Sequence, residues 1–256
     1  MSFVHSSFSF RAAALTVALT LASGAWADNG AHDPVEGLLT PADQAVHAPF
    51  DVVRTRISAE ANTLVFRMQV SGKAGRTRPA ESGKLAGSQV FSYVWPTSLD
   101  PATVGFEAKA GILAFAVTAH PDFDDTPLFD ENGDGNVKND GDVWHAHWVV
   151  LAPDDACGQG SLKVVDIPAG SQPRLPKTWP GLPLLIDSPG WSPTFQKGSV
   201  TVRVPFDDVS TVQTAKFDGV TAALRVNASM HSPLLCVAKV FKVASGDLSL
   251  PGQVGH

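Results

Sequence analysis

The chain has 256 residues, of which 44% are hydrophobic and 17% charged, an ordinary balance for a globular protein with a real core. Nineteen basic residues against 25 acidic ones leave a net charge of -6. No basic stripe is present to hold phosphates, which argues against nucleic acid as a partner.

The chain opens with an export signal pattern. Arg11 precedes the apolar run Ala12 to Ala22, and Ala25-Trp26-Ala27 places small residues around a cleavage point. The apolar run is too short to span a bilayer, so residues 1–27 read as a signal peptide, with an uncleaved anchor as the alternative. The expected location is periplasmic or secreted, with no stable membrane span after cleavage. Residues 28–256 then form one domain.

Strands with period-two alternation follow. After one near 47–58, Leu64, Phe66, Met68 and Val70 share a face opposite Arg67 and Gln69. Two more lie near 87–95 and 112–119. The acidic loop, 120–142, comes next and holds eight carboxylates (Asp122, Asp124, Asp125, Asp130, Glu131, Asp134, Asp140 and Asp142) against Lys138. Within it, Asp130, Asn132 and Asp134 alternate ahead of Gly135, the opening of a calcium loop of the D-x-[DN]-x-D-G type. Asn136 would add its carbonyl, and Asp140 or Asp142 would close the shell. The twelfth position is Gly141 rather than Glu, so this is a stand-alone Ca2+ loop and not an EF-hand. The plain alternative is a solvated Asn/Asp/Gly turn.

The loop runs into Asp142-Val143-Trp144-His145-Ala146-His147-Trp148. Period two puts His145 and His147 on one face, Cα atoms about 6.7 Å apart, close enough for two imidazoles to converge on one ion. A Zn2+ or Cu2+ site needs a further ligand, for which His120 and His231 are candidates, with Asp122 and Asp124 nearby. Two hydrogen-bonded histidines on the wetter face of a strand are the alternative reading.

Cys157 and Cys236 suit one disulfide in an oxidising compartment, with a thiolate metal ligand as the rival. A strand near 161–167 leads to the Pro-rich loop, 168–193, which holds seven prolines and the tryptophans Trp179 and Trp191. Proline cannot donate to a ladder, so this segment reads as ordered loop, either covering a sheet edge or walling a cleft where the indoles stack on a sugar. Strands over Val200 to Phe206, Val220 to Val226 and 234–243 complete the chain. The sum is all-β, an antiparallel β-sandwich, immunoglobulin- or jelly-roll-like, of about nine strands with a long Pro-rich loop.

The stretches "NTLVFRMQVSGKAG" and "SVTVRVPFDDV", the latter with Val204-Pro205-Phe206, resemble the strand signatures of DOMON and family-9 carbohydrate-binding modules. The resemblance implies a secreted sandwich that holds haem, a sugar or another small ligand, with Met68 and Met230 as possible haem ligands beside a histidine. The reading that follows is an exported metal-binding module, with structural calcium and a zinc or copper site on the H-x-H strand. The alternative is a secreted metalloenzyme using that H-x-H site. The discriminator is whether a third ligand stands beside an accessible cleft.

Overall fold

A computed structural model describes residues 37–80, 84–121, 129–130, 132–139, 143–227 and 233–255. The expected leader 1–27 lies outside these residues, as do Asp122, Asp124, Asp140, Asp142, Met230 and His231. Among the described residues, fourteen strands follow in the order β1 (Leu38–Leu39), β2 (Val52–Glu60), β3 (Thr63–Val70), β4 (Gln89–Pro96), β5 (Ile112–Ala119), β6 (His145–Pro153), β7 (Leu162–Val164), β8 (Ile186–Asp187), β9 (Thr194–Gln196), β10 (Ser199–Pro205), β11 (Lys216–Phe217), β12 (Val220–Val226), β13 (Leu235–Val243) and β14 (Gly252–Gln253).

Three sheets organise them. The first runs β1-β2-β3-β10-β9, and β11 pairs with β14 in a small second one. The third runs β5-β4-β12-β13-β7-β6-β8. Its decisive feature is a further pairing of β5 with β6, from Ile112 opposite Leu151 to Thr118 opposite His145. That ladder joins strands otherwise at opposite sides of the sheet, so β5, β4, β12, β13, β7 and β6 close into a six-stranded barrel.

This corrects the expected single immunoglobulin- or jelly-roll-like sandwich, and with it the DOMON-type scaffold. Alternation reports which face of a strand is buried, and it is the same for a sandwich layer and a barrel wall. Closure depends on β5 meeting β6 across the acidic loop, a long-range pairing that period two does not encode.

The barrel wall is buried on both faces where it meets the first sheet. Phe66 of β3 packs against Phe115 at 4.4 Å, Trp95 at 5.7 Å and Trp148 at 5.8 Å, which come from β5, β4 and β6. All four rings are fully buried, joined by Met68, Val200, Val202 and Val204. The alternate residues of the same barrel strands face inward instead: Val90 and Val94, Ala114 and Ala116, Val149 and Leu151 form a second apolar cluster with Ala222, Leu224 and Val226 of β12. Gly219 lets β12 begin hard against the first sheet, since a Cβ there would meet Thr55 Cγ2 at 2.6 Å.

The Pro-rich loop is not free of sheet structure. Its Ile186 and Asp187 pair with Val149 and Trp148 as β8, beside the point where the three-residue β7 leaves β6 uncovered. Among the described residues, no helix is long and apolar enough to cross a membrane.

Candidate metal centre

The inward face of β5 and β6 carries the chemistry. Thr118 stands opposite His145 and Ala116 opposite His147 in the ladder, and His120 follows β5 two residues beyond Thr118. The two-residue side-chain period therefore puts His120, His145 and His147 on the lumen side, while Trp144, Ala146 and Trp148 point to the core beneath the first sheet. One ring nitrogen of each histidine lies within 4.8 Å of those of the other two. Among the described residues this is the one group of three His, Cys, Asp or Glu side chains whose ligand atoms converge. Such a set is compatible with a divalent metal ion.

The partners of the rings set their protonation. His120 Nδ1 lies 3.0 Å from Pro121 O, His145 Nδ1 3.1 Å from Val143 O, and His147 Nδ1 3.2 Å from Asp187 O and 3.1 Å from Ser188 Oγ. A carbonyl oxygen only accepts, so each of these bonds places a proton on Nδ1, and in the neutral ring Nε2 is then the nitrogen that holds the lone pair. His120 Nε2 and His145 Nε2 are then 3.1 Å apart. At that distance the two nitrogens are joined either through a proton carried by one ring or through a bound cation. Two nitrogens on one zinc ion at ordinary bond lengths and tetrahedral angle stand about 3.3 Å apart, close to what is seen.

His145 and His147 are buried and His120 is half-buried. Beside them lies Asp187, whose carboxyl burial pushes above the usual carboxylate range against hydrogen bonds from Thr178 Oγ1 and the Ser188 amide. The Asp187 contribution to His147 comes from its backbone oxygen, not its carboxylate.

His120 and His147 line one end of a cavity of about 420 Å³ in the barrel lumen. His120, His147 and Thr118 line it, together with Val90, Val149, Ile186 and Leu224. Among the described lining residues none is a carboxylate, a lysine or an arginine.

The other expected site residues fall elsewhere. Asp130, Asn132, Asp134 and Asn136 do form a tight turn, but their side-chain oxygens accept the loop's own amides. The Asp134 and Gly135 N–H groups donate to Asp130, the Asp134 N–H also to Asn132, and the Asn136 and Lys138 N–H groups to Asp134 and Asn136. Hydrogen bonds from the Asn139 side chain and the Asn136 amide hold the Asp134 carboxyl below its usual range. The reading of the protein as a sandwich module centred on a calcium loop is corrected on this ground: the converging ligand set is the histidine triad, inside a barrel.

Trp179 and Trp191 do not share a pocket. Trp179 Nε1 donates to Leu184 O in its own loop, and Trp191 packs on Phe115 at 6.3 Å. Met68 is fully buried between the sheets, remote in orientation from the lumen, and so is no haem ligand. Cys157 and Cys236 form a disulfide with Cα atoms 5.3 Å apart, which leaves no thiolate for a metal.

Three contributors to the site escaped the sequence reading. Ser188 and the Asp187 carbonyl were hidden by the prolines around them, although Leu185-Ile186-Asp187-Ser188 is a proline-free stretch. Thr118 was one polar residue in an apolar strand. No family model matches this chain, and no curated protein or solved structure matches it.

Proposed function

We propose that His120, His145 and His147 hold a zinc or copper ion with a coordination position open to the barrel lumen, and that the protein is an exported metalloenzyme acting on a small molecule bound there. The observation that carries this reading is the approach of His120 Nε2 and His145 Nε2 to 3.1 Å while every Nδ1 is placed to donate to an oxygen acceptor. Three imidazoles suit zinc, copper or another late first-row metal. A metal held by three protein ligands with a fourth position open lowers the pKa of bound water to about 7.

The chain's own residues do the rest. Pro121 O, Val143 O and Asp187 O fix the ring tautomers and orientations, and the apolar lumen keeps bulk water from the open position. The disulfide supports the exported location, since such bonds persist in oxidising compartments.

Metal titration of purified, chelator-stripped protein, followed by elemental analysis, tests the reading. One equivalent of zinc or copper is expected, and His145→Ala or His120→Ala should abolish stoichiometric binding while the fold, read by circular dichroism, persists. Full metal retention in both variants would overturn it. Ser188→Ala removes one of two partners of His147 Nδ1 and should weaken metal affinity about tenfold, measured by competition with a fluorescent chelator.

A further inference from the structure

The lumen beyond the histidines has a composition that specifies what fills it. Its middle is left open because small side chains occupy lumen positions: Ser92 on β4, Ala116 on β5 and Ala222 on β12. The remaining wall is aliphatic rather than aromatic, apart from Phe129 beside the acidic loop. A flat ring system would find no stacking partner along the barrel, whereas a flexible methylene chain meets branched aliphatic groups on every side.

Beyond the histidines the polar side chains of the lining are Ser92, Thr97, Ser98 and Thr118; Ser92 Oγ and Thr97 Oγ1 donate to backbone carbonyls and Ser98 Oγ accepts the Lys216 amide, which sets Thr118 apart. Thr118 is 7% exposed, and its Oγ1 is buried without a hydrogen-bond partner. A hydroxyl in that state costs free energy unless something supplies an acceptor. It lies directly across the ladder from His145, at the metal end of the lumen.

The opposite end is of another kind. Ile112, Val240 and Leu248 line the cavity there and are 37%, 47% and 41% exposed, so the far mouth is an apolar rim open to solvent. Leu248 and Leu250, both in the lining, hold left-handed backbone at φ 60° and 54°. That conformation is uncommon for a residue other than glycine, and here it belongs to the segment that forms the rim.

We infer that the barrel lumen binds a medium-length aliphatic carbonyl compound, its chain along the lumen toward the Leu248 rim and its carbonyl or carboxylate oxygen at the histidine end, where Thr118 Oγ1 donates to it. The inference rests on the proposed metal centre only for what else faces that oxygen. Thr118 is a specificity-determining residue in this scheme, because it distinguishes an oxygen-headed chain from a hydrocarbon.

The test is displacement of a polarity-sensitive fluorescent fatty-acid analogue from full-length protein, with and without one equivalent of zinc, by carboxylates and methyl ketones of increasing chain length and by terminal alkenes. Affinity should rise about fourfold per added methylene until the lumen is full. Carbonyl compounds should bind more tightly than alkenes of equal length, and Thr118→Val should lower that preference about fivefold to tenfold while leaving alkene binding unchanged. Ala222→Val should shift the preferred chain to a shorter one, and Ala222→Phe should abolish binding. Melting curves report whether each variant is folded. Zinc bound stoichiometrically with no chain bound, or an affinity indifferent to chain length, would overturn the inference and leave the metal reading standing. Chain binding with the Thr118-dependent preference but without zinc uptake would support the inference and refute the metal reading.

Discussion

The Cys157→Ser/Cys236→Ser double variant is expected to be less stable by about 4.5 kcal/mol and to melt roughly 10–15 °C lower, with the lumen opened to apolar dyes. The bridge closes a loop with a sequence separation of 79 residues, which sets the size of the entropy returned to the unfolded chain. Its position adds to the effect. The barrel wall is sewn by long ladders on most sides, but β13 meets β7 through a single residue pair, Cys236 with Lys163. The disulfide runs from that point to the turn after β6. Lys163 reinforces the seam through ion pairs to Asp154 at 2.8 Å and Asp166 at 3.0 Å, and the Leu234 N–H donates to Asp166. These charged groups are partly solvated and contribute less than a covalent tie. Differential scanning calorimetry and dye binding check the loss. Hydrogen exchange should rise first at residues 162–164 and 235–237. An unchanged melting temperature would mean that the remaining ladders hold the barrel closed unaided.

Strands such as β3, β10 and β12 were legible because alternation is a local property. Leu64, Phe66, Met68 and Val70 turn inward in β3, and Val200, Val202 and Val204 do so in β10. The closure of the barrel was not legible, although a trace of it was present. In β5 and β6 the runs Leu113 to Ala119 and Trp148 to Leu151 have no polar alternation beyond Thr118, the mark of strands covered on both faces. A sandwich layer with one face in water would alternate more cleanly. The short strands β1, β8, β9, β11 and β14 have two or three residues each, too few for a period to register.

At the site, the spacing of His145 and His147 put both rings on one face, and that much follows from strand geometry. The choice of His120 as the residue beside them came only from the register of β5 on β6. The acidic loop carries two readings for a physical reason. Asp and Asn at alternate positions before glycine serve a metal ion and a self-bonded turn equally well, because in both cases their oxygens point inward to positive partners. In the turn those partners are the N–H groups of residues 134, 135, 136 and 138.

Lys242→Met is expected to destabilise the protein by about 3–5 kcal/mol near neutral pH, and the deficit should narrow as the solution is acidified. Lys242 on β13 reaches from the barrel wall to Asp51, just before β2 of the first sheet, with Nζ 2.6 Å from Oδ1. Both side chains are almost wholly buried, at 10% and 2% exposure. Burial acts most strongly on the Asp51 carboxyl and would raise it, but the Lys242 ammonium, Ser71 and the Asp43 amide together outweigh burial and hold it below the ordinary carboxylate range. A carboxyl with a depressed folded-state pKa contributes stability above its unfolded value, near 3.9, and loses that contribution as pH falls through the folded value. In the variant the ammonium is gone while the burial remains, so Asp51 sits as an uncompensated charge at neutral pH. Protonation relieves it, and it does so at higher pH than in the parent protein. Urea unfolding at pH 7 and pH 4 should therefore show a smaller gap between variant and parent at the lower pH. A gap that stays constant or widens on acidification would assign the loss to packing of the lysine stem instead. Asp51→Asn/Lys242→Met should recover part of the stability lost in the single variant, because it removes the stranded charge and keeps the shape.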